Sequence, residues 1–312
     1  MIHPVIPALV VLLALPAGIL PAEAGDRPFD LAGGCARASS ASLHETGGAH
    51  GTGVEATRLE VTVPGSSGIP APSLRAAHLH ATAQGAPSRP AELEQAATAT
   101  AAVLLSALAG SHATPCPDHV LQDAAAPLAH GLSAGGRYRF DWQDVSVHAG
   151  STRFGAHRLS LQLDGTGGTA HLTAVLDGAV SNDPAAALLP EALAVRASLP
   201  DSQLPGLFSA TGGHGALVDV TIEHVDARRG DTTLDGSGQA RLGSSPEAAS
   251  GQGHVTVHGF DALLDAASGL NRIRTALFLA KLVAHRQGDQ ADWDLVWQGG
   301  TLMVNNVPVP LR

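Results

Sequence analysis

This chain is short of heavy anchors, of amines and of thiols. Aromatic residues make up 3% of its 312 residues, and Lys281 is its only lysine. Any core must therefore be built from Leu, Val and Ala. With 28 Asp and Glu against 18 Lys and Arg, the net charge is −10, and no basic stripe interrupts the acidity. Nucleic-acid partners, which are held by neutralising phosphates with Lys and Arg, are excluded on that ground. The same overall deficit argues against polybasic attraction to anionic lipid. The two cysteines, Cys35 and Cys116, form no CxxC, which argues against thiol catalysis. The glycine pairs stand in turns rather than between a strand and a helix, so they are not phosphate cradles.

The apolar run from Val5 to Leu20 is broken by Pro7 and Pro16 and is short for a membrane span. Ala22 and Ala24 then form the small-x-small pattern of a signal-peptidase site, so 1–24 is expected to be a cleaved export signal and the mature chain periplasmic. If retained, the same run would associate the chain with the inner membrane. Export favours pairing Cys35 with Cys116. A bridge over that loop stabilises by about 4 kcal/mol in the chain-entropy account.

Residues 25–53 are small and polar and read as irregular. Alternation marks strands at 58–63 and 74–82, and Pro90 opens a helix over 91–109, with Glu92 and Glu94 at its positive end. From Gly136 onward, alternating segments at 138–148, 154–163, 170–176, 217–225, 232–242 and 253–260 are separated by turn residues, the pattern of an antiparallel meander. The alternation slips between Trp142 and Val145, where a bulge is expected. Residues 184–193 read as a short helical interruption, and 260–267 as a helix. Asn271 is expected to cap a further helix through His285, in which Ile273, Leu277, Phe278, Leu279, Leu282 and Val283 leave almost no polar face. Such a helix calls for burial on more than one side, in the hollow of a curved sheet. The last twenty residues spell three strands joined by Gly299-Gly300 and Asn305-Asn306, pairs that supply the positive φ of tight hairpins.

The fold class that follows is α+β, mainly antiparallel β. A long curved sheet, open groove or half-barrel, carries a few helices on its concave face or ends. Residues 25–135 hold strands and one helix; 136–312 hold the antiparallel sheet, the apolar helix 271–286 and the closing hairpins.

The order of strand 253–260, apolar helix 272–285 and Gly-x-Leu-x-Val-Asn-x-x-Pro at Gly300 to Pro308 resembles the C-terminal part of domain-of-unknown-function family 2125, exported proteins of alphaproteobacteria. More loosely, the Leu-x-Gly-x-Gly-x-Ala-x-Leu strand from Leu234 to Leu242 and the closing hairpin are similar to the AsmA-like group of envelope proteins. The resemblance covers the part from Gly136 onward. It implies a long curved antiparallel sheet with helices at its ends or in its hollow and, through the AsmA-like group, envelope lipid handling or outer-membrane homeostasis. Asn305-Asn306 departs from the usual Asn-Gly. The resemblance brings no catalytic residues.

Among individual residues, His78 and His80 share a strand face and can form a metal edge, but no third ligand accompanies them. His254 and His258 read as the wet face of a strand. His214 sits in a glycine loop with no serine elbow beside it. Asp141 and Asp144 flank Trp142 as carboxylates flank an aromatic platform in glycosidases, although strand periodicity accounts for them as well. The reading that follows is of a non-enzymatic envelope protein with no implied cofactor or metal. Its groove, lined by Leu159, Leu161, Leu163, Leu277 and Phe278, would take a lipid or other apolar ligand. An envelope scaffold with a filled core and an exported hydrolase are the alternatives. Partners would be a lipid, an envelope protein or the membrane surface.

Overall fold

The structure, a computed structural model, describes residues 29–31, 34–48, 51–66, 70–86, 88–109, 113–114, 116–210, 217–243 and 247–310. The expected export signal, residues 1–24, and His214 lie outside them. In chain order the strands are β1 (Phe29–Asp30), β2 (Arg37–Ser39), β3 (Ser42–Gly48), β4 (Gly51–Thr62) and β5 (Ser73–Gln84). Two helices, α1 (Pro90–Ala109) and α2 (Asp118–Ser133), come next. Then follow β6 (Arg137–Ala149), β7 (Thr152–Thr166), β8 (Thr169–Asp177), β9 (Val180–Ser181), β10 (Ala192–Pro200) and α3 (Leu204–Ala210). The remainder is β11 (Val218–Arg229), β12 (Thr232–Leu242), β13 (Ser250–His258), α4 (Phe260–Ala266), α5 (Asn271–Val283), β14 (His285–Gln287), β15 (Gln290–Gln298), β16 (Thr301–Val304) and β17 (Val307–Pro310).

All seventeen strands belong to one open sheet. Its long strands form an antiparallel meander; short β9 pairs back onto β7, letting β8 meet β10, and short β14 sits beside β15, letting β13 meet β15. The sheet crosses the 135/136 boundary without a break, since β5 pairs with β6 along most of its length.

Period-two alternation gives this sheet one continuous apolar face. Ala56, Leu79, Trp142, Leu159, Leu176, Leu193, Ala227, Leu234, Val257 and Ala291 are successive cross-strand partners. The slip expected after Trp142 is present: Asp144 has φ 48°. It is one of a row, because the register also skips past Arg58, Ala77 and His157 in the neighbouring strands. Each skip keeps the apolar side chains beyond it on the inner face.

Helix α1 fills the hollow. Pro90 stands at its first position, and the Glu92 carboxylate accepts the Arg89 backbone N–H at 2.9 Å, one half of a capping box. Its buried residues are mostly Ala, Thr and Leu, and they run right round the helix from Ala96 to Leu105. Small side chains let it lie close against β4, β5, β6 and α2. The role expected of the helix at 271–285 is thus played by α1.

The 25–135 part contains two long helices rather than one. Pro127 and Gly131 lie inside α2 and conceal it from propensity reading. The segment expected to be irregular also contributes the short strands β1 and β2 and the Gly-, Ser- and Thr-containing β3. Cys35, at the entry to β2, is bridged to Cys116 between α1 and α2, with 5.0 Å between their Cα atoms. The bridge indicates an oxidising compartment of the kind exported proteins occupy. Thiol labelling of the denatured, non-reduced protein should find neither cysteine, and labelling of both would remove the tether.

At the C-terminus the two hairpin turns form as expected, with positive φ at Gly299, Gly300, Asn305 and Asn306. Asn305 does more than turn the chain: its amide donates to the Val283 carbonyl at 2.6 Å, at the end of α5. The Trp293 indole N–H donates to Ala280 O at 2.9 Å, so α5 is held on the inner face of β15. Asn271 does not cap it; Leu270 takes that place with no side-chain cap. Nor is α5 buried on more than one side. Leu277, Ala280 and Val283 pack against the small core around Trp293, while Phe278, Leu279 and Leu282 are 54%, 57% and 66% exposed. Among the described residues no helix is long and apolar enough to cross a membrane.

Candidate functional site: an uncovered span of the inner face

Helices cover the inner face at both ends. From β4 to β8 it lies beneath α1 and α2, and α3 extends the cover to β11. Beyond that, α4 touches β12 and α5 sits over Trp293. The two cores meet at Leu234, which packs against both.

Along the same strands, away from Leu234, the inner face changes character. Gly236, Gly238, Ala240 and Leu242 of β12, Gly251, Gly253 and Val255 of β13, and Leu295 and Trp297 of β15 are all half-buried. Ile222 and Leu242 pack against the edge of the main core, where Val220 is buried, and Val255 and Leu295 against the small core. Gly238 pairs directly with Gly253, and Ala240 with Gly251. A Cβ at Gly253 would lie 2.8 Å from the Ser237 carbonyl oxygen, and one at Gly251 3.0 Å from that of Gln239. The strands approach too closely there for a side chain, and the result is a shallow trough with a glycine floor and aliphatic walls.

The opposite face of this span is polar. Two contiguous hollows of about 430 and 590 Å³ lie across β11, β12, β13 and β15 and share Thr221, Gln239, Gln252 and Val296, all of the outer face. A bulge between Ile222 and Val225 puts Glu223 and His224 on that side. His224, Asp226 and Asp235 there offer three ligand atoms within 4.8 Å of one another. The His224 ring lies 3.9 Å from Asp235, so an ordinary exposed ion pair accounts for the grouping. Nearby, His254 lies 2.9 Å from Asp294 and 3.7 Å from Asp292. Hydrogen bonds from Thr256 and Gln290, then the rings of His254 and His258, hold the Asp292 carboxyl below its ordinary range.

The expected site residues fall elsewhere. Leu159, Leu161 and Leu163 are 4%, 1% and 0% exposed in strands that α2 covers, so they belong to a filled core and line no groove. Alternation is identical in covered and uncovered sheet, which is why sequence reading misplaced them. Leu277 is half-buried in the small core, and Phe278 faces solvent. His78 and His80 are exposed, and His80 pairs with Glu55 at 3.2 Å. Trp142 points into the core beside Phe140, while Asp141 lies on the other side of β6, held by Arg158 and Arg139. The carboxylate-flanked aromatic platform is therefore not formed, and the strand reading holds.

One spelling that sequence reading passed over is Gly131-Leu132-Ser133-Ala134-Gly135, a G-x-S-x-G. It ends α2 and leads into β6, the reverse of a strand-to-helix elbow. Gly135, with φ 80°, and the Gly136 N–H bonded to Gly131 O make it a helix stop. Ser133 donates to Asp201 at 2.7 Å, tying α2 to the turn before α3.

No protein-family model, curated protein or solved structure matches the chain.

Proposed function

We propose that this is an exported, non-enzymatic β-groove protein of the cell envelope, whose trough holds an apolar chain such as the acyl chain of a lipid. The observation that carries this reading is the half-buried aliphatic and glycine surface between two helix-covered cores. Elsewhere the same face is sealed by helices, and among the described residues no helix covers it beside Ala240 and Trp297, which are half-buried. The disulfide supports export, and the AsmA-like resemblance of the β12 strand points towards envelope lipid handling. The polar hollows on the outer face favour a second reading, an interaction module that docks an envelope protein there.

Ala240→Asp separates the two. Ala240 is half-buried and belongs to neither core, so the fold should survive with its melting temperature almost unchanged. A carboxylate beneath an acyl chain has no water and no partner, so lipid recovered with the protein should fall by about tenfold or more. Lipid mass spectrometry of wild type and variant provides the measurement. Equal lipid in both, or none in wild type, sinks the trough reading and leaves the interaction module.

A further inference from the structure

Helix α5 presents an apolar surface that the fold does not use. Phe278, Leu279 and Leu282 are more than half exposed, and they lie within five residues on one helix. Three bulky side chains so placed mark a contact surface rather than scattered surface apolarity.

The charge around them is distinctive. The chain as a whole carries −10, yet between Asp265 and Asp289 there is no carboxylate, while Arg272, Arg274, Lys281 and Arg286 all fall there. Along this stretch of sequence the chain-wide deficit of basic residues reverses, with Asp261 of α4 the carboxylate that faces Lys281 and Arg286. Arg274 and Arg286 are exposed. Lys281 bonds to Asp261 of α4, which fixes α5 against its neighbour without burying its outer side.

We infer that α5 docks this protein onto an anionic lipid bilayer, with Phe278, Leu279 and Leu282 inserted at the headgroup boundary and Arg274 and Arg286 against lipid phosphates. An amphipathic helix lying in the interface uses this pairing of apolar insertion with basic flanks. A second copy of the chain is the poorer occupant, because a twofold contact would bring two copies of the same basic-flanked surface together. The inference rests on α5 and its flanks and is independent of the trough: vesicle binding and trough occupancy can each fail while the other stands.

The test is flotation of the purified full chain with vesicles of phosphatidylglycerol and phosphatidylethanolamine, and with vesicles of phosphatidylcholine alone. Wild type should float with the anionic vesicles, weaken steeply with added salt, and stay unbound with the neutral ones. Phe278→Ser with Leu282→Ser should reduce binding by about tenfold or more. Arg274→Ala with Arg286→Ala should do the same, roughly tenfold for the pair. Circular dichroism and melting should be unchanged in both variants. Three results would overturn the inference: no binding to anionic vesicles, binding indifferent to both variants, or a wild-type dimer in sedimentation that Phe278→Ser with Leu282→Ser dissociates. A Phe278→Ser and Leu282→Ser protein that fails to fold would overturn it as well, because that face would then have to be buried.

Discussion

Leu161→Asp should leave no folded protein to recover. Leu161 is 1% exposed and stands between Phe140 and Ala174 across the sheet. A carboxylate placed there loses its hydration and gains no partner, while the aliphatic contacts of Leu161 are lost as well. Effects of this kind exceed about 4–5 kcal/mol, comparable with the whole stability of a typical domain, about 5–15 kcal/mol. Soluble yield and far-ultraviolet circular dichroism would report the loss. A soluble Leu161→Asp protein with a cooperative melt would mean that the inner face is open under α2. Set beside Ala240→Asp, the pair makes a contrast within one sheet face: the same carboxylate is lethal to the fold at β7 and harmless to it at β12.

The second large effect is a pH dependence centred on Glu94. Its side chain is 1% exposed, and neither carboxylate oxygen has a hydrogen-bond partner among the described residues. Burial, reinforced by the nearby Glu45 charge, pushes its pKa up from 4.5 to about 9. In the unfolded chain the group loses its proton near the ordinary value, whereas the folded chain keeps it until about pH 9. Folding therefore retains a proton across that window. Glu94's contribution is fully present below about pH 4.5, falls as the pH rises, and levels off above about 9. The steepest slope a single group can give is about 1.4 kcal/mol per pH unit. Glu94→Gln keeps the shape and removes the titration. Urea unfolding at pH 5, 7 and 9 should show wild type weakening steadily and the variant much flatter. Parallel slopes would mean that Glu94 is solvated or paired.

How much of this was legible in the residues depends on what each signal encodes. The closing hairpins were readable because Gly299, Gly300, Asn305 and Asn306 advertise positive φ. The Asp144 bulge showed as a broken alternation, and α1 announced itself through Pro90 and Glu92. The long curved sheet with helices on its concave side followed from the same patterns and is the fold observed. Helix α2 was hidden by Pro127 and Gly131, and β10 escaped notice between two turns. The larger failure was one of cover. Apolar periodicity says that a helix or strand has an apolar side, not what lies on it. The Ala-rich α1 was undervalued as a core element, the Leu-rich α5 overvalued, and Leu159, Leu161 and Leu163 were assigned to an opening whose glycine floor on β12 lies four strands away. The trough escaped because Gly236, Gly238, Gly251 and Gly253 meet only once the register of β12 on β13 is known. Gly236 and Gly238 stand in the Leu234 to Leu242 motif, but nothing in the sequence pairs them with Gly251 and Gly253.

The nearest-neighbour order of the strands has a temporal side. As the chain emerges from its N-terminus, each new long strand finds its partner already waiting, the strand made just before it. Three pairings reach further: β6 rejoins β5 across α1 and α2, β15 rejoins β13 across α4 and α5, and β2 passes over β3 to pair with β4. Hairpins between consecutive strands close only short loops and so form before the longer-range pairings. Most of the large core, with its disulfide, can be in place by Ala210, and Val218, Val220, Val225 and Ala227 of β11 then complete it. Growth then proceeds by extension on a finished edge. The later strands never need to compete with α1 for the hollow, since α1 is already in it.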